Sequence, residues 1–147
     1  MSATMSGAMG TQAVSKSATN GALAGLAGGV VFGMLMGMMN MFPMIGMLVR
    51  QDSAIVGVVL HAVISAFIGA VYGVVASRFA QTIMNAAIGG VVNGVTWWVL
   101  GALVLMPLGL GMTQMVFVIE QAQWMSLIGH LLYGLVTAFV FARLNSR

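Results

Sequence analysis

Residues 21–47 read GALAGLAGGVVFGMLMGMMNMFPMIGM and contain no charged side chain. Glycine recurs at every fourth position of this stretch, at Gly21, Gly25, Gly29, Gly33 and Gly37. On an α-helix this spacing places the glycines in one nearly straight groove without side chains. In water each glycine would weaken a helix by about 1 kcal/mol relative to alanine. In a lipid bilayer the helix persists, because no other open structure satisfies its backbone polar groups, and the groove admits a neighbouring helix at short distance.

The composition of the whole chain agrees with a bilayer environment. Of its 147 residues, 61% are hydrophobic and 5% are charged, and the mean hydropathy is +1.07. Soluble domains carry about 25% charged residues, so this composition cannot build a water-exposed surface. The net charge of +3 comes from five basic and two acidic residues, which is too sparse for a nucleic-acid-binding face. The chain has no cysteine, which excludes disulfides and cysteine-ligated metal centres.

Four apolar spans are each long enough to cross about 30 Å of hydrocarbon. They cover residues 21–41, 54–76, 83–105 and 124–141, and Pro107 is expected to close the third. We therefore predict an all-α integral membrane protein with four transmembrane helices in two tandem hairpins. Residues 1–19 are interpreted as a flexible polar tail, residues 20–78 as the first hairpin, residues 82–143 as the second, and residues 144–147 as a cytoplasmic tail.

The basic residues predict the orientation. An even number of spans places both termini on one side, which collects Lys16, Arg78, Arg143 and Arg147, whereas the other side has only Arg50. Lys and Arg accumulate on the cytoplasmic side of a membrane. We therefore predict cytoplasmic N- and C-termini and a multi-pass location in a prokaryotic inner (plasma) membrane.

The two hairpins match each other as an internal repeat. When Pro43 is aligned with Pro107, Gly25 falls on Gly89 and Gly29 falls on Asn93. Each unit contains two helices, so both units insert in the same direction and the repeat is a parallel one. In the second helix of each unit, small residues again recur at every fourth position. The small residues predicted to pack helix against helix are Gly21, Gly25, Gly29, Gly33, Gly37, Gly57, Ser65, Gly69, Gly73, Gly90, Gly94, Gly134 and Ala138.

A family resemblance follows from these segments. The glycine-striped helix that ends in MFP, then VLHAVISAFIGAVYG, WWVLGALVLMPLGLGM and SLIGHLLYGLV, is similar to a group of small four-helix prokaryotic membrane proteins. This group includes the YagU-like inner-membrane proteins, many of which have no known function. The resemblance covers about residues 20–143. It implies a four-helix membrane fold and supplies no catalytic residues.

His61 and His130 are the candidate functional residues, because each lies about two turns into its helix and on its small-residue stripe. An ionisable group at such depth is a functional hypothesis by default. Two histidines related by a pseudo-twofold axis are able to hold a haem b iron from opposite sides, or a metal ion, or to relay protons. The alternative is that each neutral ring bonds a neighbouring helix and that duplication of one packing histidine produced the pair. We favour packing, with no cofactor, and keep haem b as the alternative.

Other polar and aromatic residues of the spans suggest no reaction. Asn93 replaces a stripe glycine, so it is expected to form a hydrogen bond across helices. Trp97 and Trp98 lie in mid-span, where they are expected to pack against the bundle or a partner, with the wall of a cofactor pocket as the alternative. No Asp, Glu, Lys or Arg falls inside a span, which argues against an ion pump. Neither a catalytic triad nor a phosphate-binding loop is present, so we expect no enzyme.

Three functional hypotheses remain. The first is an accessory or packing subunit of a larger respiratory or other energy-transducing membrane complex, in contact with lipid and with other membrane subunits or further copies of itself. The second is a small b-type cytochrome with His61 and His130 as axial ligands. The third is a passive channel or small-solute carrier through the pseudo-symmetric centre.

Overall fold

A computed structural model describes the backbone of residues 2–146 and the side chains of residues 10–146. The described part of the chain forms helices and connecting turns and no strand. Six α-helices follow one another: α1 (Ser2–Met38), α2 (Phe42–Gly46), α3 (Ala54–Ala76), α4 (Ile83–Trp97), α5 (Met106–Gly109) and α6 (Gln121–Asn145). An eight-residue π-helix, Trp98–Leu105, joins α4 to α5 without a break.

Four of these segments are long and apolar enough to cross a membrane. They are Gly10–Met38, Ala54–Ala76, Ile83–Gly109 and Gln121–Asn145, with 29, 23, 27 and 25 residues. At 1.5 Å per residue, even the shortest is longer than the roughly 30 Å of a hydrocarbon core. The predicted all-α architecture with four membrane-spanning helices is therefore confirmed, and the architecture is that of a multi-pass membrane protein.

The first helix begins earlier than predicted. The segment expected to be a polar tail is helical from Ser2, and α1 continues without interruption to Met38. Ser17 is 9% exposed, and its carbonyl lies at the position where a side chain at Gly73 would be. Ser17 thus adds one more small residue, four positions before Gly21, to the glycine row. The row therefore begins a full turn earlier than the apolar composition indicates.

Contrary to the prediction, the third membrane-crossing segment does not end at Pro107. Proline has no N–H and its ring clashes with the carbonyl four residues earlier, which here is that of Leu103. Before this point the backbone takes the wider π-helical form. The Met106 N–H therefore donates to the carbonyl of Gly101, five residues back. The Leu103 carbonyl instead accepts from the Phe117 N–H at 3.1 Å. The proline is therefore accommodated, and the segment continues to Gly109.

The long helices pack in the spatial order α3, α1, α6, α4. Helix α1 contacts both α3 and α6, and α4 packs against α6, whereas α3 and α4 hardly touch. Neighbouring helices run antiparallel, so both termini lie at one end of the bundle, where the Asn20 Nδ2 donates to the Asn145 Oδ1 at 3.2 Å. At the other end Leu48 approaches Gly109, which brings the two connections at that end together. The row of helices is thus closed between α1 and α6 and open between α3 and α4.

Candidate functional site: two histidines and a membrane-facing groove

Glycines bring α1 and α3 into backbone contact. A Cβ added at Gly21 would lie 2.8 Å from the Gly73 Cα, and one added at Gly25 would lie 2.7 Å from the Gly69 Cα. Carbon atoms in ordinary contact are about 3.5–4.0 Å apart. The two backbones therefore approach to a distance that only glycine permits.

The second hairpin has a corresponding contact between α4 and α6. A Cβ added at Gly90 would lie 2.8 Å from the Gly134 carbonyl oxygen and 3.1 Å from the Ala138 Cβ. One added at Gly94 would lie 2.5 Å from the His130 carbonyl oxygen. Ala138 is fully buried. The small residues predicted on these helices are thus brought together at the same interface.

The end of the first stripe that lies towards Met38 faces an aromatic ring. Gly33 and Gly37 leave space for Phe42, whose ring atoms would be 3.6 and 3.5 Å from side chains added at these two glycines. The carbonyl of Phe42 takes the place of a side chain at Gly57. The stripe therefore changes along its length from a backbone–backbone contact to a backbone–ring contact.

His61 is bonded to the backbone of α1. Its Nε2–H donates to the carbonyl oxygen of Gly29 at 2.8 Å. A neutral imidazole has only one N–H, so this bond assigns the proton to Nε2. A Cβ added at Gly29 would lie 2.5 Å from the Ser65 Oγ, so the glycine also admits Ser65, one turn further along α3.

His130 is bonded to its own helix. Its Nδ1–H donates to the carbonyl oxygen of Ser126, one turn earlier in α6, at 2.8 Å, and the Ser126 Oγ lies 3.3 Å from the same nitrogen. The opposite nitrogen, Nε2, faces the π-helix, 4.0 Å from where a Cβ at Gly101 would be. The proton that each histidine is able to donate is therefore given to a backbone carbonyl.

Phe32 of α1 contacts both imidazoles. Its ring centroid is 5.6 Å from that of His61 and 4.8 Å from that of His130, and both pairs meet edge to face. The ring fits against α6 because residue 129 is a glycine, and a Cβ at that position would collide with the ring. Haem ligation by two histidines needs both rings to direct a nitrogen at one iron from opposite sides. The three rings form one contact cluster, and the His61 Nε2 is already bonded to the Gly29 carbonyl.

Sequence reasoning missed the second packing face of α1. Gly28 faces α6, where an added Cβ would lie 2.6 Å from the Tyr133 carbonyl oxygen and would collide with the Thr137 hydroxyl. The Tyr133 hydroxyl donates to the Ser65 carbonyl at 2.7 Å and so ties α6 to α3. A second row of Ala24, Gly28 and Phe32, again spaced by four, carried this signal.

The shallow contact between α3 and α4 leaves a groove of about 590 Å³. It is lined on one side by Tyr72 and Val75, on the other by Gly89, Asn93 and Trp97, and at one end by the α3–α4 connection. The groove is partly open to the surface of the bundle.

The expectation that Asn93 forms a hydrogen bond across helices is not met by its amide nitrogen. Its side chain is 8% exposed, and its Nδ2 is buried without a hydrogen-bond partner among the residues that the structure describes. Asn93 is among the residues that line the groove between α3 and α4. Sequence spacing predicts its buried position and carries no information on whether an acceptor lies beside the Nδ2.

Comparison with protein-family models, curated proteins and solved structures finds no match to this chain. The resemblance to YagU-like proteins gains no support from these comparisons.

Proposed function

We propose that this protein is a non-catalytic accessory subunit that packs within a larger respiratory or other energy-transducing membrane assembly. The observation that carries the proposal is the use of the two histidines. His61 and His130 are the polar groups of the spans best suited to chemistry, and both donate to backbone carbonyls around Phe32. The interior of the bundle is thus built for packing.

The outer surface supports an interaction role. Large apolar side chains point outward along all four long helices, with Ile55 78%, Phe67 60% and Ile83 79% exposed. Such a surface is suited to lipid and to apolar faces of other subunits.

Co-purification from native membranes in a mild detergent tests the proposal. We expect the tagged protein to elute with other membrane subunits in defined ratio, as measured by native mass spectrometry. A tagged helix-hairpin protein of similar size and expression level serves as the control for non-specific capture. Recovery of this chain as a lone monomer under conditions that preserve other membrane complexes would contradict the proposal.

The geometry favours the haem and channel alternatives less. The Phe32 ring lies against both imidazoles, and the centre of the bundle is filled by fully buried side chains such as Phe141 and Thr137. Absorption spectra of the purified protein test the first alternative, since a Soret band that is lost in H61A and H130A would establish haem binding. Solute efflux from protein-loaded liposomes, compared with empty vesicles, tests the second.

The repeat and the orientation belong to the same proposal. We infer two parallel-inserted copies of a helical hairpin in a prokaryotic inner membrane, with Lys16, Arg78 and Arg143 on the cytoplasmic side. The natural absence of cysteine makes a direct test possible. A single cysteine at Gln51 should react with a membrane-impermeant maleimide added to spheroplasts, and one at Ser77 should react only after lysis. The reverse pattern would refute this orientation.

A further inference from the structure

The charged side chains are divided unequally between the two ends of the bundle. Lys16, Arg78 and Arg143 lie at the end that holds both chain termini, which we call the terminal end. The two acidic residues of the chain, Asp52 and Glu120, stand just before α3 and α6 and therefore lie at the opposite end. The terminal end thus carries positive charge with no Asp or Glu side chain to balance it.

Arg143 lines an open cavity of about 240 Å³ at the terminal end, between the start of α4 and the end of α6. Among residues 10–146 its guanidinium makes neither an ion pair nor a hydrogen bond. Thr82 lines the same cavity, and its hydroxyl oxygen accepts from the Asn85 N–H at 3.2 Å. A hydroxyl that accepts one bond still has its own hydrogen to donate. The cavity therefore offers a cation and an O–H donor to an anionic group.

An apolar groove adjoins this cavity. Gln81 and Ala86 line both the cavity and the groove between α3 and α4. On α4 the groove runs from Asn85 to Trp97, which is a length of about 18 Å. Because one leaflet supplies half of a hydrocarbon core of about 30 Å, the groove extends from the terminal end through about one leaflet. The large apolar side chains of its lining are Val71, Val75, Phe79, Ile88 and Val92.

The cavity and the groove together select one kind of molecule. A soluble phosphate has no part that the groove would hold, and a hydrocarbon has no group for Arg143. A phospholipid has a phosphate at the membrane interface and acyl chains at the depth of the groove. A zwitterionic headgroup also brings an ammonium group, for which the terminal end has no Asp or Glu. The charges therefore favour an anionic headgroup, as in other basic pockets between membrane helices.

We propose that the cavity beside Arg143 binds the phosphate of an anionic phospholipid, and that one acyl chain of this lipid lies in the groove between α3 and α4. The guanidinium pairs with the phosphate oxygens, and the Thr82 hydroxyl donates to one of them. The chain passes Gln81 and Ala86 and follows α4 towards Trp97. The inference does not depend on the proposed assembly, since the site lies within one chain.

Native mass spectrometry of the purified full-length protein in a neutral detergent tests the proposal. Phosphatidylglycerol and phosphatidylcholine with identical acyl chains are titrated separately, and the dissociation constants of the first bound lipid are compared. We expect phosphatidylglycerol to bind about fivefold more tightly, the effect of one cation near an anionic lipid. Equal affinity for the two lipids would overturn the proposal. Displacement of phosphatidylglycerol by inorganic phosphate, but not by sodium chloride of equal ionic strength, would also overturn it, because the site would then be one for soluble anions.

Variants separate the contribution of the headgroup from that of the acyl chain. R143Q is expected to remove most of the preference for phosphatidylglycerol, whereas R50Q, the same substitution at the opposite end, is expected to retain it. Retained binding of phosphatidylcholine by R143Q shows that this variant keeps its fold. An unchanged preference in R143Q, or an equal loss in R50Q, would refute the role of Arg143.

The acyl chain is tested by G89L, which places a side chain in the groove. G89L is expected to weaken both lipids several-fold by the same factor, so that the preference for phosphatidylglycerol is kept. G10L is the matched control, because nothing lies within 4 Å of a Cβ at Gly10. Wild-type affinity of G89L for both lipids would refute the placement of the chain.

Discussion

Replacing Gly25 with alanine should separate α1 from α3. The new Cβ would lie 2.7 Å from the Gly69 Cα and 3.1 Å from the Gly69 nitrogen, and it would collide with the Ser65 carbonyl oxygen. All of these neighbours are backbone atoms in another helix, so no side-chain rotation is able to relieve the overlap. The helices must move apart by about 1 Å to restore ordinary contact distances.

The cost of this movement follows from the length of the contact. A gap of about 0.5–1 Å forfeits a quarter to a half of each contact energy along the interface, and overpacking of this kind costs about 1–3 kcal/mol. Alanine also raises helix propensity by up to about 1 kcal/mol relative to glycine. The steric cost and the gain in helix propensity are separated by the same substitution at a glycine of this stripe that has free space beside it. Gly37 is such a residue, because its added Cβ would meet only the Phe42 ring at 3.5 Å.

We therefore expect G25A to be less stable than G37A by about 1–3 kcal/mol. The measurement is the free energy of unfolding in mixed micelles, obtained from titration with sodium dodecyl sulfate and followed by circular dichroism. G10A calibrates helix propensity alone, since nothing lies within 4 Å of a Cβ at Gly10. If G25A and G37A unfold within about 0.5 kcal/mol of each other, which is the usual scatter of surface substitutions, the close approach of α1 and α3 is wrong.

Three further outcomes are expected. N93L should raise the unfolding free energy of the ligand-free protein by about 1–3 kcal/mol, because it removes an unpaired buried donor; a loss of stability in the same micelle titration would show that the amide has a partner. Y133F should lower it by about 0.6 kcal/mol, the mean value of a hydrogen bond between membrane helices, since its hydroxyl donates to the Ser65 carbonyl; an unchanged value would contradict that bond. P107A should make the Phe117 amide exchange faster with deuterium, because the backbone N–H that alanine introduces at this position competes for the Leu103 carbonyl; unchanged exchange in mass spectrometry would argue against this explanation of the π-helix.

The number and type of membrane-crossing segments could be predicted from sequence, because both depend on local properties. An apolar run of about 20 residues must be helical in lipid, and each of the four predicted spans lies within or largely within a long helix. The start of α1 was missed because Ser, Thr and Ala residues reduce hydropathy without opposing a helix. The glycine period was the better signal there, since Ser17 extends it by one turn.

The end of the third segment could not be predicted, because it depends on a contact with a distant residue. Pro107 alone predicts a helix end. The helix continues because a π-helical stretch precedes the proline and because the Phe117 N–H satisfies the Leu103 carbonyl. Phe117 has a positive φ of 58° in the following loop, and no local pattern predicts that its amide returns to this position.

The depth of the two histidines was a local prediction, whereas their partners were not. Position in the helix places His61 and His130 at similar depth, and their shared contact with Phe32 agrees with this. The partner of His61 is Gly29 on another helix, so it depends on which helix stands beside α3, whereas His130 bonds the Ser126 carbonyl of its own helix. The same limit applies to Asn93, because its spacing predicts a place on a packing face and does not indicate whether an acceptor lies beside its Nδ2.

The different width of the two interfaces has a simple cause if the hairpins arose by duplication. The alignment that places Gly29 on Asn93 also places Gly28 on Val92. At Gly28 the backbone of α6 comes so close that a Cβ would lie 2.6 Å from the Tyr133 carbonyl oxygen. At the corresponding position in α4, the Val92 side chain lines the groove instead and is 59% exposed. One glycine in the first unit thus admits the close approach of α1 and α6, whereas the corresponding valine in the second unit lines the open groove between α3 and α4.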